Sequence, residues 1–167
     1  MSKFRADCSK CCGLCCVVPD QMAVQGFAVD KPADTPCVHL DEQHRCVIYG
    51  HRKRHGYPAC ATFDCLGVGQ WVSEHLFGGA DWRTSPELAR EMFAAYRFWL
   101  PRFRAAALIE VSLPHVCSDA HPSLVARMTE LVAEDTMNDP VEIGEQSLYA
   151  ETLIMIRKAL KAIGKPD

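Results

Sequence analysis

Sulfur is crowded into one part of this chain. Nine of its ten cysteines lie between Cys8 and Cys65, and five of those fall in the nine-residue stretch CSKCCGLCC. Thiols at this density either pair as disulfides or bind metal, so the chemistry of sulfur constrains what the segment can fold into. The rest of the sequence indicates which of the two applies.

Composition and charge narrow the function classes. The chain has 167 residues, 49% of them hydrophobic, and a net charge of −3. It has no basic surplus to drive binding to a phosphate backbone, so nucleic acid is not expected as a partner. The N-terminus lacks the apolar core of a secretory signal, and no run of about 18 apolar residues predicts a membrane span. We therefore expect a cytoplasmic protein, whose reduced thiols favour metal binding over structural disulfides or free redox thiols.

The character of the sequence changes near residue 68. Residues 1–68 carry nearly all the sulfur but few large apolar residues, and small units of this kind generally need a metal or crosslinks. Two short β-prone runs, starting at Cys37 and Cys46, flank a polar turn and predict a β-hairpin over residues 37–49. The expected fold class is mainly α, with an irregular, metal-stapled, cysteine-rich N-terminal unit that contains this short hairpin.

Residues 69–167 follow helical periodicity, and we expect them to form an amphipathic helical region that packs on the first unit. Residues 69–77 predict a short helix that ends at Gly78. Ser85-Pro86-Glu87 is a typical helix start, with Ser85 as the N-cap. The residues that follow on one face of this helix are Leu88, Met92, Ala95, Tyr96 and Trp99.

The later part of the helical region predicts a surface for association. Pro101 is expected to kink or break the helix that begins at Ser85. Further helices are predicted from Pro122 and over residues 149–163. Their apolar faces are the expected contact for a protein partner or for a homo-oligomer.

The first cysteine stretch has the spacing of a metal-binding loop. Cys-x-x-Cys occurs twice in it, and a two-residue gap lets the chain bend so that both sulfurs face one ion. Gly13 is expected to supply the positive φ that such a loop often needs. Thiolates are soft donors that select Zn²⁺, Cu⁺ or iron–sulfur clusters over Mg²⁺ and Ca²⁺. The candidate metal ligands are Cys8, Cys11, Cys12, Cys15, Cys16, Cys37, Cys46, Cys60 and Cys65.

Nine thiolates exceed one four-coordinate site. They permit two sites, one site plus redox-active thiols, or a polynuclear site with shared sulfurs. Zinc and an iron–sulfur cluster are both candidates, and copper is less favoured. The Arg52-Lys53-Arg54 run could offset the negative charge of a thiolate site, although a solvated loop is the simpler interpretation. His39 is the best histidine candidate for a ligand, whereas Cys117 stands alone and is most simply a buried apolar residue.

Taken in order, these motifs resemble a known family. CxxxCGxCC is followed by KPADTPCVHLDEQHRCVIY and then by a further cysteine. The pattern is similar to that of the YkgJ-type cysteine-cluster family, described as zinc- or iron-chelating proteins. The stretch ACATFDCLGVGQWVSEHLFGGADWR resembles a longer bacterial subgroup, so the resemblance covers residues 8–100. The matching cysteines are Cys8, Cys12, Cys15, Cys16, Cys37, Cys46, Cys60 and, for the subgroup, Cys65.

The resemblance implies metal binding more firmly than any activity. A related cysteine cluster in a flagellin lysine methylase is associated with an iron–sulfur centre, which keeps iron among the candidates. This chain departs from the family pattern by having Arg52-Lys53 where Arg-Pro is often found, and by carrying Cys11 in addition. Both departures leave the ligand set open.

No catalytic motif is complete in the sequence. A Gly-rich phosphate loop, HExxH and the zinc-deaminase pattern are all missing. The spacing of Cys8, Cys12 and Cys15 formally matches the cluster motif of radical enzymes, but the chain lacks the βα alternation of their barrels. One hypothesis is therefore a non-catalytic protein whose metal is structural or regulatory. The other is an iron–sulfur redox enzyme or an accessory protein that delivers metal, including copper or a heavy metal.

Overall fold

A computed structural model describes residues 4–112, together with Pro122 and Ala126. Its residue contacts divide the chain into two units, Met1–Phe103 and Arg104–Asp167. All nine cysteines of the N-terminal segment lie in the first unit. Cys117 and the helix predicted over residues 149–163 lie outside the described residues, and the predicted division near residue 68 stays a prediction.

The described residues are mainly helical, but every helix before residue 86 is short. The α-helices are α1 (Leu14–Val17), α2 (Pro58–Thr62), α3 (Val68–Gln70) and α4 (Pro86–Ser112). Helix α3 continues into a π-helical stretch, Trp71–Leu76. The two stretches together form the short helix predicted before Gly78. Single 3₁₀ turns lie at Cys8–Lys10, Ala23–Gln25, Tyr49–His51 and Trp82–Thr84.

The β-hairpin predicted over residues 37–49 is wrong. The described residues contain no strand, and Leu40 and Cys46 form only an isolated antiparallel bridge. The carboxylate of Asp41 accepts the backbone N–H of Arg45 at 2.7 Å, while the Asp41 N–H donates to the Arg45 carbonyl at 2.9 Å. The backbone bond between Asp41 and Arg45 belongs to this single bridge, and the Asp41 carboxylate closes the turn between the two residues. The pairing does not extend beyond the bridge.

Helix α4 begins where the sequence predicts. The Ser85 hydroxyl accepts the backbone N–H of Leu88 at 3.1 Å, so Ser85 is the N-cap and Pro86 is the first helical residue. Met92, Tyr96 and Trp99 are buried along one face, as their spacing predicts. None of the helices among the described residues is both long and apolar enough to cross a membrane.

Pro101 does not break helix α4, which runs through it without interruption. A proline inside a helix removes one N–H donor and disturbs the hydrogen bonds of the preceding turn. Here the Arg102 guanidinium donates to the Phe98 carbonyl at 2.6 Å, so a carbonyl of that turn keeps a partner. The carbonyl that loses its N–H donor to Pro101 is that of Arg97, so the Arg102 contact supports the preceding turn without replacing the missing bond.

The first unit has a core to which the cysteine segment and the helices both contribute. Trp71 packs against Trp99 with ring centroids 4.5 Å apart, and Trp82 packs against Phe93 at 5.5 Å. Helix α1 turns one side into this interior, where Leu14 and Val17 are fully buried. The fully buried side chains of the unit are Leu14, Val17, Val18, Val68, Val72, Met92 and Tyr96.

A buried lysine holds the end of α1 in place. The Lys31 ammonium donates to the carbonyls of Val17, Pro19 and Pro32 at 3.0, 2.7 and 2.9 Å. The last carbonyls of a helix have no partner within it, and a cation at this end satisfies them and complements the helix dipole. Lys31 thereby anchors the loop after α1, and with it the two cysteines that α1 carries.

Candidate metal centre

The cysteines reach one region from several short elements. All nine are free thiols. Cys8 lies in the first 3₁₀ turn, Cys15 and Cys16 lie in α1, and Cys60 lies in α2. The backbone N–H of Cys37 donates to the carbonyl of Cys16 at 2.9 Å. This bond ties the loop that begins at Cys37 to helix α1.

Eight of these thiols form one connected group. Burial is the main reason that the pKa values of Cys8, Cys60 and Cys65 are raised, and a negative charge on Cys15 raises all three further. Charges on Cys37 and Cys46 act on Cys60 in the same way. We call this group the thiol cluster: Cys8, Cys11, Cys15, Cys16, Cys37, Cys46, Cys60 and Cys65.

Cys15 is where two parts of the thiol cluster meet. One part is Cys8, Cys11 and Cys65, and the other is Cys16, Cys37, Cys46 and Cys60; Cys15 influences members of both. This arrangement corresponds to two of the sequence alternatives, namely two adjoining sites or one site with shared sulfurs. Cys15 is therefore the thiol whose charge acts on both parts.

Cys15 and Cys16 form a close pair of sulfurs within the cluster. Their Sγ atoms are 4.0 Å apart. Two sulfurs bound tetrahedrally to one zinc ion are about 3.8 Å apart, so this spacing already approaches that of a shared ion. The hydrogen bond between the two thiols lowers the pKa of Cys15 and raises that of Cys16.

Proton loss differs across the cluster. Burial raises the pKa of Cys11 to about 12 and that of Cys60 to about 11. A hydrogen bond from Cys16 lowers the pKa of Cys46 to about 6. Buried thiols with raised pKa values bind metal by exchanging a proton for the ion, so metal binding here would release protons.

Backbone N–H groups are directed at two of the sulfurs. The N–H groups of Leu14 and Gly13 hydrogen-bond to Cys11, and those of Gly69 and Gly67 hydrogen-bond to Cys65. Each of these bonds favours the thiolate over the thiol, although burial outweighs them in the metal-free chain. A sulfur surrounded by N–H donors has the environment of a metal-bound thiolate.

Two glycines allow the backbone to approach this closely. Gly13 has φ 75°, which confirms the positive φ predicted there. A Cβ atom on Gly69 would lie 2.7 Å from the Cys11 sulfur and 3.9 Å from that of Cys65. Gly69 therefore has no room for a side chain while both sulfurs keep their positions. The Gly67-x-Gly69 pair is the signal of this close approach in the sequence, since the pair does not belong to a phosphate loop.

The Cys12 side chain contacts the packed interior of the first unit, and its role as a ligand stays a prediction. Its sulfur lies 3.1 Å from the Ser73 hydroxyl, and its backbone carbonyl accepts the indole N–H of Trp82 at 2.9 Å. Burial raises the pKa of Cys12, and a charge on Cys12 raises the pKa of its neighbour Cys11. The side chain of Cys12 joins the first turn of the segment to the packed interior.

Three residues that lie far along the chain from the cysteines they contact help to shape the site. The Arg45 guanidinium donates to the carbonyls of Cys8, Ser9 and Cys11, and so fixes the backbone of the first cysteine loop. Ser73 and Trp82 hold Cys12. Sequence spacing offers no signal for these contacts, because each joins residues that are 34 or more positions apart.

His39 packs as an aromatic ring in this structure. Its ring centroid is 5.1 Å from that of Tyr57 and 6.0 Å from that of His55, both edge-on. The Tyr57 side chain is buried, and its pKa is raised by burial and by charges on Cys37, Cys60 and Cys46. His39 is thus near the thiol cluster, and its role as a ligand stays a prediction.

The side chains of the thiol cluster are not yet arranged as a metal site. Over residues 4–112, no group of three or more His, Cys, Asp or Glu side chains is already arranged to hold a metal ion. A cysteine sulfur moves by rotation about a single side-chain bond, so small rotations can redirect it. Arg52 is a cation near the thiol cluster. Its charge lowers the pKa of Cys46, although the hydrogen bond from Cys16 and burial have larger effects on that pKa.

Comparison with known proteins places the chain among cysteine-rich relatives. It is 41% identical to the Bacillus subtilis protein YybG over 91 residues, which are 54% of this chain and 33% of that protein. It is 46% identical over 44 residues to YeiW of Escherichia coli, a UPF0153 protein, and covers 52% of its length. It is 36% identical over 59 residues to a UPF0153 protein of Vibrio cholerae, and covers 72% of its length.

The chain spans between a third and about half of the first two of these relatives. Their full lengths therefore include regions that have no counterpart in the alignment. No family model matches the chain. No solved structure matches it either.

Proposed function

The chain belongs to the UPF0153 family, and on that premise we propose that its thiol cluster is a metal–thiolate centre that stabilises the fold of the cysteine segment. The observation that carries the proposal is the convergence of eight thiols from five separate stretches of chain on one region. Bringing so many thiols together without a ligand is unfavourable, because charged sulfurs repel and buried polar groups need partners.

The donor set suits a soft metal. Thiolates select zinc, iron–sulfur clusters or Cu⁺, and the backbone N–H groups at Cys11 and Cys65 are the kind of second shell that such centres use. A fully thiolate centre carries net negative charge, and Arg52 is placed to reduce it. Zinc and an iron–sulfur cluster are the two occupants we propose, with copper less favoured.

The metal has a structural or regulatory role in this proposal. The short elements of residues 8–65 bury few large apolar side chains, and in small units of this kind metal-binding energy is folding energy. This matches what the YkgJ-type resemblance implies, chelation of zinc or iron. The helical C-terminal region then supplies a surface for a protein partner or a homo-oligomer, in the cytoplasm.

A second function is favoured by one observation. Cys8 is exposed, while the rest of the cluster is buried or half-buried. A ligand sulfur open to solvent permits exchange of metal or of electrons with another molecule. An iron–sulfur redox protein, or an accessory protein that delivers metal, is therefore the alternative.

The test is the metal content of the full chain purified without oxygen. We expect at least one equivalent of zinc or iron per chain by element-resolved mass measurement. Absorption at about 400 nm that bleaches with dithionite identifies an iron–sulfur cluster, whereas a colourless protein with stoichiometric zinc identifies a zinc centre.

The matched variants are Cys15→Ala, in helix α1, and Cys12→Ala, three residues earlier and outside the helix, each of which removes one thiol. We expect Cys15→Ala to lose most of the bound metal and Cys12→Ala to keep it. Metal-free wild-type protein with nine accessible thiols and an unchanged fold would overturn the proposal. Equal loss of metal in both variants would overturn the expected difference between Cys15 and Cys12.

A further inference from the structure

An open cavity lies beside the thiol cluster, and Arg52 is the one residue of its lining to which the proposed metal centre assigns a role. Its volume is about 470 Å³, and it is formed by residues 49–54 and Ala61. This volume lies within the range of small-molecule pockets, about 300–1,000 Å³. We call it the basic pocket, because its lining includes His51, Arg52, Lys53 and Arg54 and no acidic residue.

The positive charge of the basic pocket is not neutralised within the described part of the chain. Lys53 and Arg54 are exposed, and neither side chain forms an ion pair or hydrogen bond with another residue of 4–112. The whole chain carries a net charge of −3, so three consecutive cations are a local exception. Adjacent like charges repel, and an anion held among them removes that repulsion.

Arg52 is already fixed at the inner wall of the pocket. Its Nη1 donates to the Cys60 carbonyl at 2.8 Å, and its guanidinium carbon lies 4.0 Å from the centroid of the Tyr49 ring. Its Nε is buried and has no hydrogen-bond partner. A guanidinium held by stacking and by one hydrogen bond loses little freedom when it binds an oxyanion with its other donors.

The backbone holds the cations of the pocket on one tight turn. The 3₁₀ turn Tyr49–His51 is followed by hydrogen bonds from Arg54 N–H to the His51 carbonyl at 2.9 Å and from Tyr57 N–H to the Arg52 carbonyl at 2.9 Å. Gly56 closes the turn with φ 83°. The three cationic side chains therefore start from a defined backbone, which reduces the entropy lost when they converge on a ligand.

We propose that the basic pocket binds a small phosphate monoester. A phosphate group offers a dianionic charge and three acceptor oxygens, which match two arginines, a lysine and a histidine better than a single carboxylate does. The cavity is larger than a phosphate group needs, and the exposed Tyr49 ring offers a surface for the organic part of the ester. The ligand would lie next to the thiol cluster, separated from it by Arg52.

The pocket is too small and too local for the main competing occupants. A nucleic acid or an anionic membrane needs a basic face that extends along the molecule. Here the uncompensated cations come from a single turn, and the chain as a whole is acidic. The site does not require the thiol cluster to hold any particular metal, so it stands or falls separately from the proposed metal centre.

The experiment is a calorimetric titration of the full chain, as purified, with glycerol phosphate and with inorganic phosphate at constant ionic strength. Glycerol at the same concentration is the uncharged control. The test variant is Lys53→Gln/Arg54→Gln, and the matched variant is Arg5→Gln/Arg90→Gln, which removes the same two charges from exposed positions outside the pocket lining. Circular dichroism checks that both double variants keep the fold.

We expect wild-type protein to bind both phosphates and not glycerol. The Lys53/Arg54 variant should bind about tenfold more weakly or worse, because two charge-assisted contacts are lost, while the Arg5/Arg90 variant should bind as wild type does. Arg54→Glu, a single charge reversal at an exposed site, should abolish binding if the double variant fails to fold. Absent binding in the wild type, equal weakening in both double variants, or binding to anionic vesicles or DNA alone would overturn the proposal.

Discussion

The cysteine segment, residues 8–65, and helix α4 reach a defined structure by different means. Within the segment the longest α-helix has five residues, and its shape follows from turns, caps and contacts to sulfur. Helix α4 has 27 residues and buries Met92, Tyr96 and Trp99 along one face. We expect the shape of the segment to depend on what its thiols bind, whereas helix α4 depends on apolar packing.

Metal removal is the largest predicted way to separate the two regions. A chelator applied to reduced protein should remove protection from hydrogen exchange across residues 8–65, while amides in the middle of α4 stay protected. The reason is that the thiol cluster loses the ligand that holds its short elements together, and α4 keeps its aromatic contacts. Hydrogen exchange followed by mass spectrometry resolves the two stretches. Uniform loss of protection in both would show that they fold as one unit.

Trp99→Ala should have the opposite pattern. Trp99 is 4% exposed and packs against Trp71, so its removal leaves a cavity that costs about 3–5 kcal/mol in the free energy of unfolding. Urea denaturation measures this loss. Metal content per folded chain should stay unchanged, because Trp99 packs against aromatic rings and supports none of the cysteines directly. Loss of metal from the folded variant would show that the aromatic core and the thiol cluster are coupled.

Gly69→Ala should act on metal affinity more than on the metal-free fold. The new methyl group would lie 2.7 Å from the Cys11 sulfur, which can rotate away when free but not when bound to an ion. We expect metal affinity to fall by roughly 10- to 100-fold, as it does when groups supporting a ligand are changed. Competition with a coloured chelator measures it. Gly50→Ala is the matched control, because no atom lies within 4 Å of its added methyl.

Cys12→Ala should have the smallest effect of this series. It removes the contact between the Cys12 sulfur and the Ser73 hydroxyl, which leaves one buried hydroxyl with fewer partners and costs about 1 kcal/mol in stability. Thermal denaturation measures the change, and the thiol cluster should keep its metal. A collapse of residues 8–65 in this variant would place Cys12 among the ligands after all.

Helix prediction from the sequence succeeded where a local rule was sufficient. Ser85 caps helix α4, and Met92 and Tyr96 are buried on the predicted face, because capping and periodicity act over a few residues. The prediction of a β-hairpin over residues 37–49 was wrong. There the Asp41 side chain forms a turn, and a single bridge stands in place of a hairpin. At Pro101, where the sequence predicts a kink or a break, helix α4 continues without a break.

The candidate site was predictable in kind but not in arrangement. The density of cysteines identified the segment, and Gly13 was correctly predicted to take a positive φ. Spacing alone treated all nine thiols as equivalent, and it could not separate Cys12, which faces Ser73, from the thiol cluster. Nor could it indicate that Gly69 borders Cys11, since that contact joins residues far apart along the chain.

The sequence by itself determined which chemistry is available: nine thiols within residues 8–65, and an amphipathic helix after Ser85. Those properties depend on residue type and short-range spacing, which the order of residues states directly. Only the tertiary structure decided which sulfurs share a region, which one turns toward the interior, and that three cations lie on the rim of a cavity beside them. These depend on contacts between distant residues, whose energies are settled only when the whole first unit packs.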